Sequence, residues 1–253
     1  MSYWAAGLVV LLAAAMAGAS SYLISKSIGA ERQRQRQAFG APVFQQVGIM
    51  FSVLLSFVFS EVWSEYNIAA QAISHECGAL HGAAMLASAL PRDTGRGVNE
   101  AILSYGKTVI AVEWPLMAKR QRSAEAAEAF RVALDRAARL APAQPADLAI
   151  RSQLLGQLIE AHGFRETRTF QITAGLPLMI WIVLIGMALV LDGFLLLAGT
   201  EIRSHMFLAA AAAGSTAAAL VMVRMLDFPF EGALALPEGD FYKLVGEVGR
   251  LTT

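Results

Sequence analysis

The sequence predicts an all-α, multi-pass membrane protein, with about four transmembrane helices in two hairpins and an extramembrane helical region between them. Three observations carry this. The 253 residues are 56% hydrophobic and 16% charged, with a mean hydropathy of +0.52, whereas about a quarter of a soluble domain is charged. The apolar residues gather into four runs long enough to cross hydrocarbon. Between the second and third runs, apolar positions recur at helical spacing and the stop signals lie too far apart for strands. Net charge is zero, so no polyanionic partner is expected, nucleic acid included. Cys77 is the only cysteine, which excludes an intrachain disulfide.

The first run, residues 3–24, carries no charge. Ala17-Gly18-Ala19 resembles a small-residue cleavage site, but nothing basic precedes Trp4, as a signal peptide requires. A retained spanning helix is the expectation. A basic linker follows, with Lys26, Arg32, Arg34 and Arg36 against Glu31. The second run, residues 43–62, is placed after Pro42, where a helix can begin. Ser52, Ser56 and Ser60 form one stripe on it, and Ile49, Val53 and Phe57 another. It closes in Glu61, Trp63, Glu65 and Tyr66, an interfacial mixture of aromatic and acidic residues.

Residues 67–170 hold most of the ionisable groups. A separate helix is expected over 67–90, ended by Pro91, and a second over 98–119, interrupted near Pro115. A third is expected over 123–140, with Ser123 as N-cap and Ala127, Phe130, Leu134 and Ala138 as its apolar face. A fourth covers 147–168, with Leu154, Leu155, Leu158 and Ile159 facing inward. The third apolar run, 172–198, contains Asp192; the fourth, 206–226, ends near Arg224, and a tight polar turn joins them. These readings divide the chain into a first hairpin with its basic linker (1–66), an extramembrane region (67–170), a second hairpin (171–226) and a tail (227–253).

Sidedness stays open. Lys26, Arg32, Arg34, Arg36 and Arg203 mark one face, and Arg151, Arg165, Arg168, Arg224 and Lys243 the other, so the positive-inside count is tied.

Two stretches resemble the bestrophin-like membrane proteins of bacteria. One runs from Gly48 and Ile49 through Trp63 and Glu65 towards Glu76, with Ile49, Val53 and Phe57 at the spacing of a bestrophin pore neck. The other is the tail, Asp227-Phe228-Pro229-Phe230-Glu231-Gly232, followed by Leu236-Pro237 and Asp240-Phe241. Glu113-Trp114-Pro115, after Tyr105, resembles the bestrophin-like domain family more than true bestrophins. Glu76 matches an acidic position of that family. The basic linker is longer than a bestrophin outer loop, and the acidic calcium clasp is absent, so calcium gating is not implied.

The resemblance implies a homopentamer in the bacterial inner membrane that passes small inorganic ions. Ile49, Val53 and Phe57 would line its pore, with Glu61, Trp63 and Glu65 at the mouth or an interface. Glu76, Glu113, Trp114, Asp227, Pro229 and Phe230 are the family-motif positions. Bestrophins hold their central helices in the cytoplasm, whereas the basic linker after an uncharged N-terminus favours the opposite placement. A membrane-anchored sensory or interaction protein acting through the central bundle is the alternative, and a small transporter using Asp192 a third reading. No nucleotide loop, nucleophile elbow or zinc-protease motif occurs, so the chain reads as non-enzymatic. No cofactor is expected. Cys77 and His81 can face one way on a helix, but two ligands fall short of a metal site, so no metal is expected.

Overall fold

The computed structural model describes residues 1–27, 30–141, 144–197 and 202–252, with side chains described except at 25–27, 30–41, 92, 93, 197 and 202. Nine α-helices and one π-turn occur among the described residues, without strands. They are α1 (Tyr3–Ser27), α2 (Ala30–Ser88), α3 (Arg92–Thr108), the π-turn Val109–Glu113, α4 (Trp114–Met117), α5 (Ala124–Ala138), α6 (Pro145–Phe170), α7 (Leu178–Leu197), α8 (Ile202–Leu226) and α9 (Gly239–Thr252). Four of them are long and apolar enough to cross a membrane: α1, α2, α7 and α8. The side chains of the basic linker, and residues 198–201 of the polar turn, lie outside the described residues.

The chain forms two compact units. The first contains residues 1–64 and 175–227, the second 65–174 and 228–253.

In the first unit, small residues set the closest packing. A methyl added to Gly214 would stand 3.3 Å from Ala14 Cβ, and one added to Gly18 would stand 3.5 Å from Ala210 Cβ. Ala14 and Gly18 on α1, and Ala210 and Gly214 on α8, are each four apart. They meet in antiparallel register, as small residues do where membrane helices approach closely. A methyl on Gly48 of α2 would lie 3.7 Å from Leu191 of α7. Leu55, Ser56 and Phe59 of α2 border an apolar groove with Ala218, Ala219, Met222 and Val223 of α8.

The structure corrects the reading of α2. The sequence reading starts it after Pro42 and separates 67–90 as another helix. Instead α2 is one helix of 59 residues with Pro42 inside it, roughly 90 Å long. The end of an apolar run marks a change of surroundings rather than a helix stop. No glycine or proline occurs between Gly48 and Gly78, so nothing interrupts the hydrogen-bond ladder. Pro42 forfeits one bond to the preceding turn.

The second unit is a helical bundle. Its core includes Leu80, Ile102, Tyr105, Phe130, Leu154, Leu158 and Phe241. Ser123 caps α5, its hydroxyl accepting from Ala126 N at 3.1 Å, as the sequence predicts. The buried face of α5 differs from the expected one. Ala126, Phe130, Ala133 and Ala137 are buried, whereas Ala127 and Ala138 are exposed and Leu134 half-buried. The two stripes share Phe130, and the one that packs is completed by the small Ala126, Ala133 and Ala137 rather than by Leu134. On α6, Leu154 and Leu158 are buried, but Leu155 is half-buried and Ile159 is 63% exposed. The line of Leu154, Leu158, Ala161, Arg165 and Arg168 turns inward instead.

The tail also departs from a plain mixed segment. Gly239–Thr252 forms α9, with Phe241, Leu244 and Val248 buried. Before it, Gly232 adopts φ 86°, a conformation glycine reaches without penalty.

Candidate functional site

Two groups of side chains stand out, one in each unit. In the first unit, Phe51 and Val58 of α2 are buried, at 7% and 5% exposure. Ile49, Val53 and Phe57 lie on the opposite side of the helix, at 54%, 51% and 72% exposure. The Ser52 hydroxyl donates to Gly48 O, and that of Ser56 to Ser52 O, both at 2.8 Å. Both hydroxyls are thereby satisfied within the helix and tolerate an apolar neighbour. Glu61 is exposed, and Trp63 stacks on Phe59 with centroids 6.5 Å apart. Asp227 is buried, and its Oδ1 accepts from Leu176 N at 2.7 Å. Asp192 is half-buried on α7, and Arg203 is exposed on α8.

In the second unit, four charged side chains are buried together: Glu76 on α2, Glu113 closing the π-turn, and Arg165 and Arg168 on α6. Glu65 is half-buried at the start of this unit. Arg168 Nε donates to Glu76 Oε2 at 2.7 Å, and its Nη2 to Glu113 Oε2 at 2.8 Å. Arg165 Nη2 donates to Glu113 Oε1 at 2.7 Å. The Tyr105 hydroxyl donates to Glu76 Oε1. Two carboxylates meet two guanidiniums, so the cluster is formally neutral. Buried charges persist only when paired and hydrogen-bonded in this way.

Aromatic rings enclose the cluster. Arg168 stands 5.3 Å from the Phe241 ring centre and 5.8 Å from that of Trp114, within cation–π range. Trp114 meets Phe230 edge-on at 5.9 Å and Phe241 at 5.8 Å. Glu76, Glu113, Trp114 and Phe230, four motif residues scattered over the sequence, are thus gathered around one guanidinium. Pro229 is buried beside them in sequence, its carbonyl accepting from Leu236 N at 2.8 Å.

The π-turn has a local cause. Pro115 has no N–H to offer Ala111, and its ring would crowd that carbonyl in a regular helix. The wider turn relieves this and returns Glu113 to the side of the helix that holds Tyr105 and Val109, both fully buried.

Burial raises the Tyr105 phenol well above its ordinary value, and the Glu76 carboxylate raises it further. Burial alone would lower Arg168, but Glu76, Tyr105 and Glu113 outweigh it, and its guanidinium is held protonated. For Tyr105 the linkage sign is clear. An acid whose folded pKa is raised contributes stability below its unfolded value, about 10, and loses it as pH rises towards the folded value. Wild-type melting temperature should therefore fall above about pH 10, and Tyr105→Phe should remove that part of the fall. A pH series of thermal melts on both proteins checks this, and parallel curves would count against it.

The remaining candidates disperse. His75 stacks on Phe164 at 4.9 Å, His81 Nδ1 lies 3.2 Å from Glu247 Oε2, and Cys77 is buried. No three His, Cys, Asp or Glu side chains among the described residues are grouped to hold a metal.

Sequence reasoning counted Arg165 and Arg168 as marks of sidedness, whereas both are buried, and quoted Tyr105 and Phe241 only beside motifs, giving none of the four a place in a site. A signal was present: Arg165 and Arg168 continue the 4-3-4-3 spacing of Leu154, Leu158 and Ala161, so both are in phase with a buried stripe.

The family model for the bestrophin-like domain matches residues 10–240. The chain belongs to the bestrophin-like family. Its fold is similar to that of solved bacterial proteins. A variant of a bacterial Bestrophin homolog from Klebsiella pneumoniae matches with a TM-score of 0.78 at 13% identity, over 96% of this chain and 98% of that one. A second variant gives 0.73 at 13% identity, over 94% and 98%. A further structure of that homolog gives 0.72 at 14% identity, over 94% and 97%. No curated protein sequence matches this chain. This bestrophin-like chain is therefore an integral membrane protein of all-helical bestrophin fold.

Proposed function

We propose that this bestrophin-like protein is a homopentameric ion conductance of the bacterial inner membrane, narrowed by rings of Ile49, Val53 and Phe57. The observation that carries this reading is the outward-facing stripe on α2. Three large apolar side chains stand exposed opposite the buried face of that helix. The exposed polar residues Gln46 and Ser60 lie on the same side, before and after them. A stripe facing only lipid gains nothing from polar ends within a span. Around a symmetry axis, the same order gives a dry constriction between hydrated vestibules, which opens and closes by wetting. Glu61, one turn beyond Phe57, would add an acidic ring and favour cations over anions. Glu65 follows one turn later on the same helix, and Trp63 lies between them.

Reconstituted protein in a planar bilayer tests the reading. Wild type should conduct, Phe57→Ala should raise unit conductance or leak, and Glu61→Gln should shift the reversal potential towards weaker cation preference. Silence of wild type and Phe57→Ala across voltages and salts would overturn it, as would a monomeric mass in detergent. The interaction reading draws on Ile159 and Phe170 of α6, which are 63% and 61% exposed, and would gain from that silence.

A further inference from the structure

We propose that the Glu76–Arg168 ion pair is a registry pin for the part of α2 that lies in the second unit, setting the rotation of that segment against its bundle. The inference follows from the seam α2 presents in the second unit. Ala69, Ile73, Glu76, Leu80, Ala83 and Ala87 are spaced 4-3-4-3-4 and each is at most 3% exposed. Three of these six are alanines. A smooth seam of small side chains packs closely but offers few knobs to oppose slippage.

Glu76 is the one charged member of that line, and its contacts are directional. Its carboxylate accepts from Arg168 Nε at 2.7 Å and from Nη2 at 3.3 Å, and also from the Tyr105 hydroxyl. These donors come from α6 and α3, so the carboxylate is held from two sides. Turning α2 by one position, about 100°, would bring His75 or Cys77 to that place and leave Arg168 without Glu76. A buried polar group on an apolar seam gives up stability and fixes register.

The test uses full-length protein in liposomes with Cys77→Ala as background. Single cysteines replace Ala79 and Ala84, buried on either flank of the seam, and Ser74 and Met85, exposed on the far side. Maleimide labelling is compared with and without Glu76→Gln. Labelling should rise about fivefold at Ala79 or Ala84 but not both, and fall at Ser74 or Met85. A rise at both flanks reports lost packing, and Arg168→Lys, which keeps the charge but loses the directional contacts of the guanidinium with Glu76, then decides: labelling must shift to one flank. An unchanged pattern in both variants overturns the pin.

Discussion

Arg168→Met is expected to destabilise the protein by about 3–5 kcal/mol, the cost of leaving buried carboxylates without their partner. Arg168 is fully buried and donates to Glu76, Glu113 and the Met117 sulfur. Methionine keeps most of its length, so lost charge rather than lost volume dominates. Glu113 retains Arg165. Glu76 retains only the Tyr105 hydroxyl among these partners, and bears most of the penalty. Arg168→Met combined with Glu76→Gln should therefore be more stable than Arg168→Met alone, since no uncompensated charge remains. Thermal unfolding of the three proteins in one detergent measures this. Additive losses would mean that the two groups do not act as a pair.

Gly95→Ala is the second large effect. A methyl at Gly95 would stand 1.8 Å from the Ala87 carbonyl oxygen, a distance no pair of heavy atoms sustains without bonding. The obstacle is backbone in the last turn of α2, so no rotamer change relieves it. Helix α3 must shift at its first turn, where Thr94 and Gly95 N–H groups both donate to Pro91 O. The cost should reach or exceed the upper end of the ~1–3 kcal/mol usual for overpacking. Gly78→Ala is the matched control, because nothing lies within 4 Å of a methyl there, and it should melt with wild type or slightly above it. Equal melting temperatures for the two variants would refute the close approach.

The helical class and the four apolar spans were legible because hydrocarbon demands long uncharged runs, and these survive any packing arrangement. The Ser123 cap was legible because it depends on neighbours in sequence. The length of α2 was not, because the reading took a change from apolar to mixed residues at Tyr66 for an end. The face of α5 was misjudged where Ala126 and Ala127 are equally apolar: Phe130 belongs to both stripes, so only packing against other helices decides between them. Helix α9 lacked a long apolar run; its Phe241, Leu244 and Val248 carry the pattern in only three positions. At the buried cluster, Glu76 and the Glu113-Trp114-Pro115 triplet were visible as motif. Their mutual approach was not, because Glu76 and Arg168 are 92 residues apart. What the sequence does offer is phase. A charged residue that falls in step with an apolar repeat, as Glu76 does between Ile73 and Leu80, is committed to burial before its partner is known.

The closest small-residue seam of the membrane unit joins α1 to α8, two spans separated in sequence by α2 to α7. While translation proceeds, Ala14 and Gly18 face lipid or a surrogate, because Ala210 and Gly214 have not left the ribosome. The seam therefore closes only after residues 65–174 of the bundle have been made, and can do so before its last helix, α9, is complete. A chain halted before residue 210 leaves Ala14 and Gly18 of α1 without the small residues they pack against.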